Sequence, residues 1–428
     1  MHYENSIIRQ VKPSPSMAIS LQARKMAADG RPVIDLSLGE PDFNTPAHII
    51  EAAYEAAKAG QTRYTAADGT PELKKAIAEK FSRENGLDYK PSEISVANGA
   101  KQIIFNALMV TLEEGDEVLV PAPYWVSYTD MVLLMRGVPK VVACTAETGF
   151  KITPEVLRSS LTSNTRWLIL NAPSNPSGAT YDEAELEALG EVLADFPDVL
   201  VMSDEIYEHI LYDGRRFTSF AKACPALRQR TLIVNGVSKA YAMTGWRIGS
   251  AAGPEGLIKA IGKLQSQSSS NPSSVSQAAA LAALTGPQDF VGMAGAEYAR
   301  RRDQVVGALG AVQGLRIVSP QGAFYVFVDV SSLIGQRTPD GGSINNDLDM
   351  TSYLLEHGEV ACVPGSAFGL DRHVRISFAA SRQTLETACS RIGAAVGCLR
   401  TDADHRPSFP LTATIEGQTV HASVRLAR

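Results

Sequence analysis

Between about position 47 and position 300, short apolar runs alternate with helix-like stretches, and each run ends in a polar, aromatic or turn-forming cluster. Glu93-Ile94-Ser95-Val96 leads into Asn98-Gly99-Ala100-Lys101, and Val118-Leu119-Val120 into Pro121-Ala122-Pro123-Tyr124-Trp125. Trp167-Leu168-Ile169-Leu170 leads into Asn171-Ala172-Pro173-Ser174-Asn175-Pro176. Val199-Leu200-Val201-Met202 leads into Ser203-Asp204-Glu205-Ile206-Tyr207, and Leu232-Ile233-Val234 into Asn235-Gly236-Val237-Ser238-Lys239. This rhythm predicts an α/β chain with a mostly parallel sheet. Such sheets bind ligands beyond the carboxyl ends of their strands. Five converging ends would build one site.

A chain of 428 residues exceeds what one compact core usually organises. Residues 47–300 are expected to form the larger domain. Residues 1–46 hold a helix-like segment (Met17 to Asp29), the run Val33-Ile34-Asp35-Leu36 and a turn-rich Gly39-Glu40-Pro41-Asp42-Phe43. They are expected to join 301–400 in a smaller α+β domain. Residues 401–428 are a polar extension with a hairpin pattern about Gly417, from Thr412 to Leu426. No internal repeat stands out, and the Ser-rich stretch from Gln265 to Gln277 reads as a loop.

Charge and composition remove several function classes. A formal net charge of -6, spread along the chain, argues against a nucleic-acid partner, which calls for clustered Lys and Arg. No run approaches the roughly 20 apolar residues of a membrane span, and the N-terminus lacks the apolar region of a secretory signal. The five cysteines are scattered without a Cys-x-x-Cys, which fits a reducing cytoplasm better than a disulfide framework. The seven histidines form no His-x-x-x-His pair, and no metal is expected.

The densest chemical signal is the string Gly236-Val237-Ser238-Lys239-Ala240-Tyr241-Ala242-Met243-Thr244-Gly245-Trp246-Arg247-Ile248-Gly249. A lysine just past a strand, among small residues, can be desolvated until its amine is a nucleophile near neutral pH. Arg247 offers a planar fork suited to phosphate. Taken alone, most lysines and arginines in such a setting read as a solvated loop lysine beside a structural arginine. The whole string, however, resembles the lysine-attachment signature of the class I pyridoxal-phosphate aminotransferases. The resemblance extends over roughly residues 10 to 397. It includes Gly39-Glu40-Pro41-Asp42-Phe43, Tyr64-Thr65, Tyr124-Trp125-Val126-Ser127-Tyr128, Asn175-Pro176-Ser177-Gly178, Ser203-Asp204-Glu205-Ile206-Tyr207 and Gly322-Ala323-Phe324-Tyr325. The chain is most similar to the bacterial branch of aspartate and aspartate/prephenate aminotransferases.

That resemblance implies fold type I: a large domain with a seven-stranded, mostly parallel sheet between helices, a smaller α+β domain, and a homodimer with shared active sites. It implies pyridoxal 5'-phosphate as cofactor, with Lys239 as Schiff-base lysine and general acid/base. Asp204 resembles the carboxylate that pairs with the ring nitrogen, and Tyr207 and Asn175 the pair at the ring's phenolic oxygen. Trp125 resembles the aromatic on the ring face. Ala100 and Lys101 fall where a helix should begin, with N–H groups able to face the phosphate; Arg247 and a partner's Tyr64 resemble further phosphate contacts. Arg375 resembles the grip on the substrate α-carboxylate, with Asn175 and Gly39 beside it.

The expected reaction moves an amino group between an L-amino acid, with aspartate or glutamate favoured, and a 2-oxo acid such as 2-oxoglutarate or oxaloacetate. Lys101 is the candidate for a second substrate carboxylate, and Lys12 for prephenate. Prephenate or aromatic amino-acid transamination, and lyase or decarboxylase chemistry on the same fold, are the alternatives. A ligand-sensing regulator module is disfavoured, because the fold begins within about 15 residues of the first methionine. Ser37, Leu38, Thr70, Asn98, Ala100 and Pro15 depart from the branch pattern, and several of them lie where substrate choice would be set.

Overall fold

The computed structural model describes residues 3–11, 13, 15–401, 411–415 and 418–422. Lys12 lies outside the described residues. The strands in chain order are β1 (Ile34–Asp35), β2 (Ile94–Ala97), β3 (Glu117–Ala122), β4 (Val138–Ala143), β5 (Thr165–Asn171), β6 (Leu200–Asp204), β7 (Thr231–Gly236) and β8 (Gly249–Ala252). Then follow β9 (Arg316–Ile317), β10 (Tyr325–Asp329), β11 (Val360–Ala361), β12 (Val363–Pro364), β13 (His373–Ser377), β14 (Leu411–Ile415) and β15 (Gln418–Ala422).

Seven strands form one sheet in the order β2-β8-β7-β6-β5-β3-β4. Only β8 runs antiparallel to its neighbours, so the sheet is mostly parallel, as its apolar runs predict. Those runs are continuous because helices cover both faces. On one face Trp167, Ile169, Met202 and Val234 pack with Ile103, Ile104 and Leu108 of the Ala100–Thr111 helix. On the other, Leu168, Leu170 and Val201 pack with Leu186, Leu189 and Leu193 of the Glu183–Ala194 helix. The period of two along β5 divides its side chains between the layers. A capping box between Asp182 and Glu185 starts the second helix.

The sheet registers align the strand ends that matter. Asn171 at the end of β5 sits opposite Asp204 at the end of β6, and Asp204 opposite Val234 of β7. Asn171 Nδ2 donates to the Asp204 carbonyl at 3.0 Å, and Asn171 Oδ1 accepts from Asn175 N at 2.8 Å.

A second, antiparallel sheet has the order β12-β13-β10-β9. β1 pairs in parallel with β11, which brings the N-terminal segment onto the C-terminal third of the chain. One core joins Leu36 to Tyr325, Val374 and Ile376 and to the Asp289–Gly310 and Arg382–Gly397 helices. The Asp289–Gly310 helix runs unbroken across position 300. β14 and β15 pair antiparallel with Ile415 opposite Gln418; Gly417 and Leu426 of the expected hairpin lie outside the described residues.

The Gln265–Gln277 stretch corrects the loop expectation. Its ends belong to the Glu255–Ser268 and Ser274–Thr285 helices. Both glutamines are buried and bind the chain near Thr65: Gln265 Nε2 donates to the carbonyls of Ala67 (2.6 Å) and Val96 (2.8 Å), and Gln277 Nε2 to Thr65 Oγ1 (3.0 Å).

Candidate active site

One cavity of about 500 Å³ opens beyond the carboxyl ends of β5, β6 and β7, where the large sheet meets the second one. Ten of the twelve residues singled out in the sequence line it: Gly39, Ala100, Lys101, Trp125, Asn175, Asp204, Tyr207, Lys239, Arg247 and Arg375. Tyr64 does not, and its side chain is 91% exposed. Lys12 belongs to the undescribed positions.

Lys239 lies three residues past β7, and its Nζ donates to the Gly39 carbonyl at 2.6 Å. Burial pushes its pKa down to about 8; Arg247 and Arg375 push the same way, while Glu40 and Asp204 oppose them. Asp204 is buried at the end of β6. Burial raises its pKa from 3.8 to about 6, against the hydrogen bonds from Tyr128 Oη (2.6 Å, to Oδ2) and Ile206 N (3.3 Å, to Oδ1) and the charge of Lys239. Tyr128 stands one helical turn from Trp125, whose ring it meets edge-on at 5.4 Å. Behind this segment, Glu208 accepts from Lys80 and from Asn235 Nδ2 (2.7 Å), which anchors the turn after β6 to the end of β7.

Ala100 begins a helix whose N-cap, Gly99, supplies no side-chain cap, and no acidic residue stands in its first turn. Gly99 has φ +87°, and a Cβ there would lie 2.2 Å from Arg247 Nη2. Arg247 itself donates to the carbonyls of Asn98 (3.2 Å) and Thr244 (3.0 Å). Gly249 is equally constrained: its Cβ would fall 2.2 Å from Ala100 N. Two glycines thus seat an uncapped helix N-terminus against a guanidinium, the arrangement that binds a phosphate. Lys101 Nζ lies 4.8 Å from the centre of the Trp125 ring. Its pKa is lowered by desolvation and then by Arg247.

Arg375, on β13, is buried; it donates through Nη1 to Asn175 Oδ1 at 3.0 Å and through Nη2 to the Ser37 carbonyl. Its Nε is buried without a hydrogen-bond acceptor, which leaves a donor edge for a carboxylate. Tyr207 Oη is 2.7 Å from Tyr325 Oη. The space a Cβ on Gly39 would fill is taken by that Tyr325 hydroxyl, 2.4 Å away, so Gly39 is required by Tyr325 as well as by an open cavity.

Sequence reasoning gave no role to Tyr128, Tyr325, Asn171, Ser37, Glu40 or Arg24. Tyr128 and Tyr325 do stand inside strings that matched the family, and that is the signal that could have drawn attention to them. Of the departures, Ser37 bonds Asp35 and receives Arg375, and Asn98 receives Arg247. Thr70 caps the Pro71–Lys80 helix and so serves the scaffold.

The profile of the family described as Aminotransferase class I and II matches residues 31–392. The chain belongs to this family. As a transaminase it is 53% identical to the aspartate/prephenate aminotransferase of Cereibacter sphaeroides, over 92% of this chain and 98% of the relative. It is 54% identical to an aspartate aminotransferase of Rhizobium meliloti, over 91% and 95%. The crystal structure of the aspartate aminotransferase from Rhizobium meliloti superposes with a TM-score of 0.91 at 52% identity, covering 93% of this chain and all of that one. The Thermus thermophilus aspartate aminotransferase solved with maleate gives 0.86 at 41%, covering 92% and 100%. The α/β architecture with a mostly parallel sheet is the one these enzymes share. No described helix of the transaminase is long and apolar enough to cross a membrane.

Proposed function

We propose that this transaminase exchanges an amino group between aspartate or glutamate and a 2-oxo acid, using pyridoxal 5'-phosphate linked to Lys239. The observation that carries the reading is the convergence in one cavity of a partly desolvated lysine, a buried carboxylate and an uncapped helix N-terminus flanked by arginine. Each is a partner that one part of such a cofactor needs. Ala100, Lys101 and Arg247 would hold the phosphate, Asp204 the ring nitrogen, Tyr207 and Asn175 the phenolic oxygen, and Trp125 the ring face. Tyr64 of a second copy would complete the phosphate site, which its near-total exposure in one chain favours. The active unit is then a homodimer. The bound cofactor supplies an electron sink for the pair left when the substrate loses its α-proton.

The chain's own groups do the rest. Arg375, fixed by Asn175 and the Ser37 carbonyl, offers its free Nε edge to the α-carboxylate and so orients the substrate. Lys239, with a pKa near 8, can accept the proton from the substrate α-carbon and give it back at neutral pH. Asp204 is held by Tyr128 so that its charge faces the cavity. Lys101, beside Trp125, would meet a second carboxylate.

A screen of single half-reactions tests this. The cofactor-loaded protein is mixed with a panel of amino acids and 2-oxo acids, prephenate included, and the visible absorbance of the lysine-linked cofactor is followed. Fast loss with aspartate and glutamate, absent in Lys239→Ala and slowed in Lys101→Met, is expected. Turnover that needs no 2-oxo acid acceptor would instead mark a lyase or decarboxylase.

A further inference from the structure

We propose that Arg24, on the Pro15–Ala28 helix, is a second specificity-determining cation that binds the distal carboxylate of a dicarboxylic substrate; the proposal rests on the dicarboxylate reading above. Met17 and Arg24 are seven residues apart, two turns of one helical face, and both line the active cavity. The opposite face carries Ala23 and Met26, which pack on Leu355 and Ala361. The helix thus stands as a wall of the cavity with one cation directed to it.

Arg24 is exposed, and no hydrogen bond or ion pair holds its guanidinium among the described residues. The cavity's two carboxylates are engaged elsewhere. Glu40 accepts from Thr244 Oγ1 (3.2 Å), and Asp204 from Tyr128. The other cations also have tasks: Arg247 stands at the helix N-terminus, Lys101 lies against Trp125, and Arg375 is committed to Asn175 and Ser37. Arg24 has no such partner among the described residues, and its whole fork is open to an anion beside Lys101.

A hydrogen-bonded chain fixes the helix relative to Arg375. Ser20, one turn before Arg24, donates through Oγ to Asp35 Oδ2 at 2.7 Å. Asp35 Oδ1 accepts from Ser37 N (2.9 Å) and Ser37 Oγ (2.6 Å), and the Ser37 carbonyl accepts from Arg375. Two guanidiniums are thereby carried on one connected frame, one for each end of a dicarboxylate. A substrate with a single carboxylate engages only Arg375.

The test compares the wild-type holoenzyme with Arg24→Gln and Arg24→Lys. Succinate, a non-reacting dicarboxylate, is titrated against the cofactor's visible band, and single-turnover rates are measured with aspartate and with alanine. Arg24→Gln is expected to raise the half-saturating succinate and aspartate concentrations by roughly tenfold or more, the scale of one charge-assisted pair. Alanine should stay within about twofold, and Arg24→Lys should recover part of the loss. An equal change for aspartate and alanine, or none, overturns the role of Arg24. A wild-type enzyme that does not prefer aspartate to alanine overturns the dicarboxylate reading itself, and the Arg24 role with it.

Discussion

Replacing Gly39 with alanine should damage the site through a hydroxyl about 290 residues away in sequence. The new Cβ would stand 2.4 Å from Tyr325 Oη and 3.4 Å from its Cζ. Ordinary contact begins near 3.4 Å, so the hydroxyl must retreat by 3.4 − 2.4 = 1.0 Å. Tyr325 is fully buried, and its Oη bonds Tyr207 at 2.7 Å; a shift of that size breaks the bond. The lost hydrogen bond costs about 0.5–1.5 kcal/mol and the overpacking about 1–3. The Gly39 carbonyl also receives Lys239, so the lysine moves too, and a misplacement on this scale costs about 10²-fold in rate. Urea unfolding and kcat, measured for Gly39→Ala, Tyr325→Phe and the double variant, make the test. Phenylalanine removes the atom at 2.4 Å and leaves none closer than 3.4 Å. Gly39→Ala should therefore be nearly neutral in that background, with a coupling equal to the whole single-variant cost, about 1.5–4.5 kcal/mol. Equal costs in both backgrounds would refute the clash with the Tyr325 hydroxyl.

Gly99→Ala meets Arg247 Nη2 at 2.2 Å in a residue with φ +87°. Backbone strain of about 1–3 kcal/mol and a displaced guanidinium should weaken cofactor retention by roughly tenfold or more; titrating the cofactor-free protein with pyridoxal phosphate checks this, and an unchanged affinity counts against the phosphate cradle. The Asp204 carboxyl gives a pH signature. Its folded pKa of about 6 exceeds the ordinary 3.8, so the folded cofactor-free chain binds this proton more tightly than the unfolded one. The resulting penalty is absent below about pH 3.8, grows as pH rises to about 6, and reaches about 3 kcal/mol. Asp204→Asn should remove that slope from denaturant unfolding of the cofactor-free protein, and a slope that persists would place its origin elsewhere.

The parts of this fold that could be read in sequence are those where one physical demand repeats. β3, β5, β6 and β7 are covered on both faces and so carry continuous apolar runs between their polar ends. β4 went unread because it is an edge strand with alternating exposure and carries Pro139, which an edge tolerates. β8 is Gly-Ser-Ala-Ala, with no large side chain to mark it, because the Ala100–Thr111 helix packs closely over it. The Gln265–Gln277 stretch looks like a loop because its amides are polar, yet they are buried on backbone carbonyls, which composition cannot reveal. The same holds within the site. Lys239 and Arg247 share one continuous string and were legible together, whereas the Tyr128–Asp204 bond joins residues 76 apart and depends on tertiary packing. Tyr64 does not line its own chain's cavity, so the role proposed for it would need a second chain.

Charge supplies the reason for favouring an acidic substrate. The cavity is lined by five basic side chains (Arg24, Lys101, Lys239, Arg247, Arg375) and two acidic ones (Glu40, Asp204), a formal balance of 5 − 2 = +3. A phosphate monoester brings about −2. With the proposed cofactor, a protonated ring nitrogen paired with Asp204 would add about +1 and Lys239 would give up its own charge, so the loaded cavity would retain about one positive charge. An amino acid with one carboxylate and one ammonium leaves that charge uncompensated. Aspartate or glutamate carries one further carboxylate and cancels it. Asp204 and Arg375 are buried, so the charge imbalance around them is weakly screened. On the proposed reading, Arg24 and Lys101, nearer solvent, would be the cations that receive the second carboxylate.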